Sequence, residues 1–333
     1  MHEASYLEAY KHCRLCPNLC SIDRTRGQVG ICGESAHMRI AWAGLHRGEE
    51  PPVTGRYGSG TIFFSGCPLH CAYCQNCQIS AQVDISAVTT VTVKQLAQLM
   101  LDLQQMKAAN INIVTGTHFI PSIAEAILLA RRTGLNIPIV WNSSGYEEVQ
   151  ALEMIDSLID LYLIDVKTLD TRVAARFCGT KHYVDSILPV MTWLFKAKPN
   201  TYVNDAGELY GILIRHLLFP GTLEATKEVL VWFARYAKQH AWLSLMVQFV
   251  PPKKEPSMET IRIDEYQILL DLLESLEIDD GFVQELADNI PWIPDFTRDN
   301  PFPADFADPL ASFLALRKVS ADNRAGERLP FEN

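Results

Sequence analysis

From residue 61 onward the chain alternates short β-rich runs with longer amphipathic ones, and this alternation restricts its fold more than any other feature. Residues 61–65, 111–115, 138–142, 161–166, 210–219 and 242–250 read as strands, rich in apolar and β-branched side chains. Residues 93–107, 120–132, 146–158, 187–195, 223–238 and 264–276 carry helical patterns. A strand followed by a helical crossover pairs in parallel with its successor, so the series predicts βα units of an α/β fold. Six units favour a partial (β/α)6 TIM-like barrel over residues 61–288, and a doubly wound sheet has the same local pattern.

The flanks break the pattern. Residues 1–60 are rich in Cys and Gly and carry the step Pro51-Pro52, which predicts a small metal-bearing N-terminal module. Residues 289–333 contain Pro291, Pro294, Pro301 and Pro303 with few helix-forming runs, which predicts an extended C-terminal tail packed on the barrel. The net charge of −10 comes with no basic stripe to draw a phosphate backbone, which argues against nucleic acid as partner. No apolar run reaches the roughly 18 residues that span a bilayer, and Met1 to Lys11 hold no export signal, so no membrane association is expected and the cytoplasm is the expected compartment.

Eight of the nine cysteines fall between Cys13 and Cys77, with Cys178 alone outside. A long, cysteine-poor hydrophobic body follows them, so metal ligation is a better reading than a disulfide framework. Cys67, Cys71 and Cys74 form a CxxxCxxC motif on the loop leaving the first strand, where a βα barrel builds its active site. Three thiolates at this spacing can bind three irons of a 4Fe-4S cubane and leave the fourth iron open to another ligand. Cys77 adds a fourth thiol, which keeps open a closed site: a structural zinc or a non-catalytic electron carrier.

With Tyr73 directly before the third cysteine, this stretch resembles the signature of the radical S-adenosylmethionine (SAM) superfamily. The runs Cys74-Gln75-Asn76, Asn112 to Phe119, Trp141 to Tyr146 and Ile214 to Gly221 look like relatives of pyruvate formate-lyase activating enzyme that carry an N-terminal cysteine module. The resemblance implies a 4Fe-4S cluster on Cys67, Cys71 and Cys74 that cleaves SAM reductively, giving a 5'-deoxyadenosyl radical that abstracts hydrogen. It also places Tyr73 against adenine and Asn76 among the cofactor contacts. The Asp165-x-Lys167 step resembles that of glycyl-radical activating enzymes, with the acid near SAM and the lysine near its carboxylate.

The residues themselves support further candidates. Gly116 permits close backbone approach, with Thr117 or His118 as side-chain partners, although this loop lacks the acid of the family's Gly-Gly-Glu-like turn. Asn142 and Ser144 end the third strand and suit SAM's ribose or carboxylate, with Gly145 opening the next turn; both are equally ordinary helix caps. Alternation sends Asp165 and Lys167 to one face, the barrel interior, where charges are costly unless paired or bound to something polar. An internal ion pair is the alternative. Of Arg215 and His216 only one can face inward, and an inward Arg215 suits a SAM or substrate carboxylate. Gln248 is a weaker candidate, and Cys178 reads as a buried apolar residue.

Cys13, Cys16, Cys20 and Cys32, with Gly27, Gly30 and Gly33 beside the last, supply four thiols suited to a structural zinc or to a second 4Fe-4S cluster. The resemblance implies a protein or peptide substrate with a glycyl residue as hydrogen donor, and a flavodoxin- or ferredoxin-type electron donor. Radical modification of a small molecule, a ribosomal peptide or RNA is the alternative chemistry.

Overall fold

A computed structural model describes residues 6–80, 88–251, 260–286 and 293–326. In chain order its strands are β1 (Arg39–His46), β2 (Ser59–Phe64), β3 (Thr89–Thr90), β4 (Ile111–Val114), β5 (Ile139–Ser143), β6 (Leu161–Asp165), β7 (Tyr202–Val203), β8 (Leu209–Leu217), β9 (Trp242–Met246), β10 (Gly281–Val283) and β11 (Ala307–Pro309). The helices are α1 (Pro51–Thr54), α2 (Cys77–Ser80), α3 (Val93–Gln105), α4 (Ile120–Arg132), α5 (Val149–Glu153), α6 (Thr171–Phe177), α7 (Tyr183–Ala197), α8 (Leu223–Trp232), α9 (Ile263–Ser275) and α10 (Ala311–Gly326).

The sheet runs β10-β9-β8-β6-β5-β4-β2-β1-β11, and the pairs from β2 through β10 along this path are parallel. β10 and β11 lie at opposite edges, so the sheet is open, a partial TIM-like barrel. All six expected strands are present, and their helices cover the outer face. Ile111, Ile113, Trp141, Tyr162, Ile164, Ile212 and Ile214 pack outward into one core with the helices. Side chains alternate across the sheet, so Val140, Leu161, Leu163 and Leu213 pack on the inner face, where α1 inserts Val53 among them. Strands buried on both faces read as near-continuous apolar runs, which is why the sequence displays them so plainly.

Both flanks differ from expectation. β1 pairs antiparallel with β2, so the cysteine-bearing segment ends near residue 38 and residues 39–60 belong to the barrel rather than to the module. The tail is not wholly extended: β11 pairs antiparallel with β1, and α10 follows for 16 residues. No proline falls between Pro309 and the end of α10, and Leu310 and Phe313 are buried three residues apart on a helical face. Between them Phe296 and Phe302 cover Trp42, Phe63 and Val114 on the inner face. The expected boundary at residues 288 and 289, and Pro291, lie outside the described residues. No described helix is long and apolar enough to cross a membrane.

Candidate active site

The loop after β2 is shaped by two left-handed residues. Gly66 has φ +78°, and a Cβ there would stand 2.5 Å from the carbonyl oxygen of Cys32 and from Cγ of Glu34, so no side chain fits. His70, with φ +55°, bends the chain between the first two cysteines, and Cys74 N–H closes a turn onto Cys71 O at 3.2 Å. Cys67, Cys71 and Cys74 are half-buried, while Cys77 is exposed on α2. Burial and then the neighbouring Cys71 and Cys74 push the Cys67 thiol up to about 12; burial first and then Cys71 among the charges push Cys74 up to about 11. Three thiols that oppose one another's ionisation and sit out of water need a cation to become thiolates. That donor set, with the fourth cysteine left outside, fits a three-thiolate iron-sulfur cluster.

Tyr73 and Lys167 adjoin this loop. The Tyr73 ring lies 4.7 Å from Phe219 and 6.3 Å from Phe177 in an aromatic nest completed by Phe249, and Lys167 Nζ stands 5.5 Å from its centroid. Lys167 Nζ is 2.8 Å from Asp165 Oδ2, the ion pair given above as the alternative. Burial works against the lysine's charge, but Asp165, then Tyr73 and Cys71, outweigh it and hold its pKa well above the ordinary value. Tyr183 Oη from α7 donates to Ser144 O and Asp165 O and accepts from Lys167 N–H, tying the ends of β5 and β6 together. Asn142 shares the inner face with Val140, and Asp165 with Leu163, so Asn142, Asp165 and Lys167 belong to the C-terminal end of adjacent strands β5 and β6.

Residues 61–233, just over half of the chain, match the family profile described as the radical SAM superfamily. The chain belongs to that superfamily. An uncharacterised protein of Methanocaldococcus jannaschii, MJ0674, is 26% identical over 278 residues, covering 81% of this chain and 76% of the relative. Among solved structures, Streptococcus suis SuiB bound to S-adenosylmethionine superposes with a TM-score of 0.45 at 10% identity, over 66% of this chain and 45% of SuiB. A domain of pyruvate-formate lyase-activating enzyme from Bacteroides vulgatus gives a TM-score of 0.37 at 15% identity, over 50% of this chain and 91% of that domain. Membership in the radical SAM superfamily implies SAM and a 4Fe-4S cluster, and Cys67, Cys71 and Cys74 are the residues here that would hold the cluster.

Several residues expected at the radical SAM site are committed elsewhere. A Cβ on Gly116 would meet Ile113 and Ile123 at 2.7 Å and Trp141 at 3.0 Å, so this glycine serves close packing under the helix layer. Thr117 Oγ1 donates to Glu147 Oε1 at 2.7 Å, and His118 Nε2 donates to Ser65 O at 2.7 Å, which leaves Nδ1 unprotonated. Burial pulls the His118 pKa down to about 3, so the ring is neutral. Arg215 faces inward as alternation requires, but it is paired with both Glu49 and Glu50 rather than free for a SAM carboxylate. The reason is the β1–β2 connection, which threads α1 into the barrel and brings the two acids with it; nothing local to Arg215 announces this. His216 faces outward between Val166 O and Thr226 Oγ1, and Gln248 links to Gln284 and Glu285 O. Asn76 accepts the amides of Ile79 and Ser80 through its carbonyl and so starts α2.

One residue escaped the sequence reading. Glu147, from the loop after β5, brings a buried carboxyl to Thr117 in the loop after β4; burial raises its pKa. Cys178 is buried as expected, at the C-terminal end of α6, with its thiol near that of Cys71. Gly179 packs against Leu69 O and His70 O, so the end of α6 braces the cysteine loop.

The four N-terminal thiols lie in one compact segment. Cys13, Cys16 and Cys32 are buried, and the Cβ position of Gly30 lies 3.3 Å from Cys20 Sγ and 3.6 Å from Cys32 Sγ. Burial, and after it Cys32, Cys13 and Cys20 among the charges, push the Cys16 thiol up to about 12. Arg24 is fully buried with Nη1 3.9 Å from Cys13 Sγ, and it donates to His118 O and Ser35 O. No carboxylate forms an ion pair with it among the described residues, and Glu34 is committed to Arg39 and Ser65.

Proposed function

We propose that this radical SAM enzyme acts on a protein or peptide, abstracting hydrogen from a backbone position such as a glycyl residue. The observation that carries the enzymatic reading is that Cys67, Cys71 and Cys74 are half-buried on the loop after β2 while Cys77 is exposed on α2, which suits a three-thiol set better than a closed four-thiol site. When bound, SAM and the cluster would supply reductive carbon-sulfur cleavage and a 5'-deoxyadenosyl radical. The chain's own contribution is orientation. Tyr73, backed by Phe177, Phe219 and Phe249, offers an aromatic face, while Lys167 and Asp165 offer one charge of each sign beside it. A zwitterionic ligand can meet both signs without leaving either uncompensated.

The N-terminal thiols would hold a second 4Fe-4S cluster. Buried Arg24 supports an anionic metal-thiolate group there, since an unpaired guanidinium out of water is costly. Cys67 N–H donates to Cys32 O at 3.2 Å, so the two cysteine sets are in direct backbone contact, a placement of use to a redox group and not to an inert zinc.

Anaerobically reconstituted, dithionite-reduced protein should release 5'-deoxyadenosine from SAM, and Cys67→Ala, Cys71→Ala or Cys74→Ala should abolish that release. Formation of a glycyl radical on an added glycyl-radical enzyme, detected by electron paramagnetic resonance, would support the substrate reading. SAM cleavage without any such radical across a panel of these enzymes would redirect it to a peptide or small molecule, and no cleavage by a cluster-loaded chain would end the enzymatic reading.

A further inference from the structure

The end of α6 runs against the catalytic loop in a fixed register. Ala72 N–H donates to Phe177 O at 2.9 Å, and a Cβ on Gly179 would stand 3.1 Å from His70 O and from Leu69 O. The residues on either side of Cys178 therefore meet those on either side of Cys71, with the two segments running in opposite directions. Residues opposed in this way have Cα atoms about 4.5–5.5 Å apart, within the span that a disulfide bridges. Cys178 is held in place by its own N–H, which donates to Ala174 O at 2.9 Å, and by Gly179 at φ +75°.

The neighbouring thiols of the loop turn elsewhere. Cys67 Sγ accepts from Leu69 N–H at 3.5 Å, and Cys74 Sγ lies 3.4 Å from Ser80 Oγ at the end of α2. Within the pair, Cys71 is half-buried and Cys178 is fully buried. A small oxidant meets the solvent-reached thiol first, and the thiol opposite decides what becomes of the product.

We infer that Cys178 is a resolving cysteine for Cys71: in the cluster-free chain, a hydroperoxide converts the two to a Cys71–Cys178 disulfide, a reversible closed state of the catalytic loop. With hydrogen peroxide, the Cys71 sulfur attacks the O–O bond, which breaks as an S–OH bond forms and a water leaves with the thiol proton. The Cys178 sulfur then attacks the Cys71 sulfur, the S–O bond breaks, and the hydroxyl leaves as a second water with the Cys178 proton. The thiol pair loses two electrons and the peroxide gains them. A dithiol reopens the bridge at the Cys71 sulfur and is itself oxidised to a disulfide. Without Cys178, oxidised Cys71 has no thiol facing it and proceeds to sulfinic and sulfonic acid, which dithiols do not reverse. The bridge needs no particular substrate, so it stands apart from the proposed chemistry on a peptide; its effect on cluster loading rests on Cys71 as a ligand.

The full-length chain, stripped of metal by a chelator, is treated anaerobically with an equimolar amount of hydrogen peroxide, alkylated and digested with trypsin. Cleavage leaves Cys178 in residues 177–181 and Cys67, Cys71, Cys74 and Cys77 together in residues 57–94. A bridge between these fragments, assigned to Cys71 by fragmentation, is the expected result. Bridges confined to residues 57–94, or a fragment 177–181 that is recovered alkylated, overturn the inference whether or not the chain cleaves SAM. In Cys178→Ala, the share of Cys71 found as sulfinic or sulfonic acid after excess peroxide is expected to rise about fivefold or more over wild type. An unchanged share overturns the resolving role. After excess peroxide and then dithiothreitol, reconstitution should return about four more irons per chain to wild type than to Cys178→Ala. Full iron loading while the bridge is still in place overturns the closed state, and with it the assignment of Cys71 as a ligand, even where the bridge itself is found.

Discussion

Two buried arginines divide the molecule's polar interior. Arg215, on the inner face of β8, is held by the carboxylates of Glu49 and Glu50, and Glu49 is held in turn by Asn112. Arg24, under the cysteine module, has two carbonyl oxygens, the rings of Tyr10 and Phe119 at 4.8 and 5.6 Å, and a cysteine sulfur. The first cation is compensated by the chain itself and so serves the fold. The second is compensated only when the thiols beside it carry negative charge, which ties its stability to a metal.

The largest break in this comparison should come from Arg215→Ala, which leaves two buried carboxylates unpaired and should cost about 3–5 kcal/mol in urea unfolding. Its pH dependence sharpens the point. In the wild type, burial tends to raise the pKa of Glu49, but Arg215 outweighs it and holds it below 4.5. Glu49 therefore adds stability above pH 4.5 that is lost as pH falls below that value. Without Arg215, burial is opposed only by His46, so the pKa of Glu49 should rise toward its ordinary value and this acid-side loss of stability should shrink. Arg24→Met should cost about 3 kcal/mol in the metal-loaded chain, where charge-assisted bonds to His118 O and Ser35 O are lost. After chelation the same replacement should cost under about 1 kcal/mol, because the cation removed was then unpaired. A cost independent of metal would place Arg24 in the same class as Arg215. Glu50→Gln should cost about 1–2 kcal/mol, since Glu49 still pairs Arg215. Cys77→Ser, exposed on α2, should change stability by less than about 0.5 kcal/mol and leave the iron content unaltered; a loss of iron would make it a ligand.

The parallel strands were legible because each is buried on both faces and so appears as an apolar run, and the cysteine loop because its spacing is local. Elements that depend on distant partners were not. β1 is a strand because β2, β3 and β11 pair with it, and the 16 residues of α10 were hidden behind a proline-rich approach. The same division holds at the site. Asp165 and Lys167 could be placed on one face by alternation alone, but Gly116 could not be assigned to packing without knowing that Ile123 and Trp141 lie against it.

Sequence alone determined the ligand chemistry and the order of βα units, since thiol spacing and hydrophobic periodicity are properties of neighbouring residues. Tertiary structure decided which charges are spent and which remain. Arg215 is neutralised by acids more than 160 positions away, Thr117 donates its hydroxyl proton to a glutamate 30 positions on, and Cys67 N–H of one cysteine set donates to Cys32 O of the other. Electrostatic compensation acts through space at a few ångströms, and only the fold determines which residues come that close.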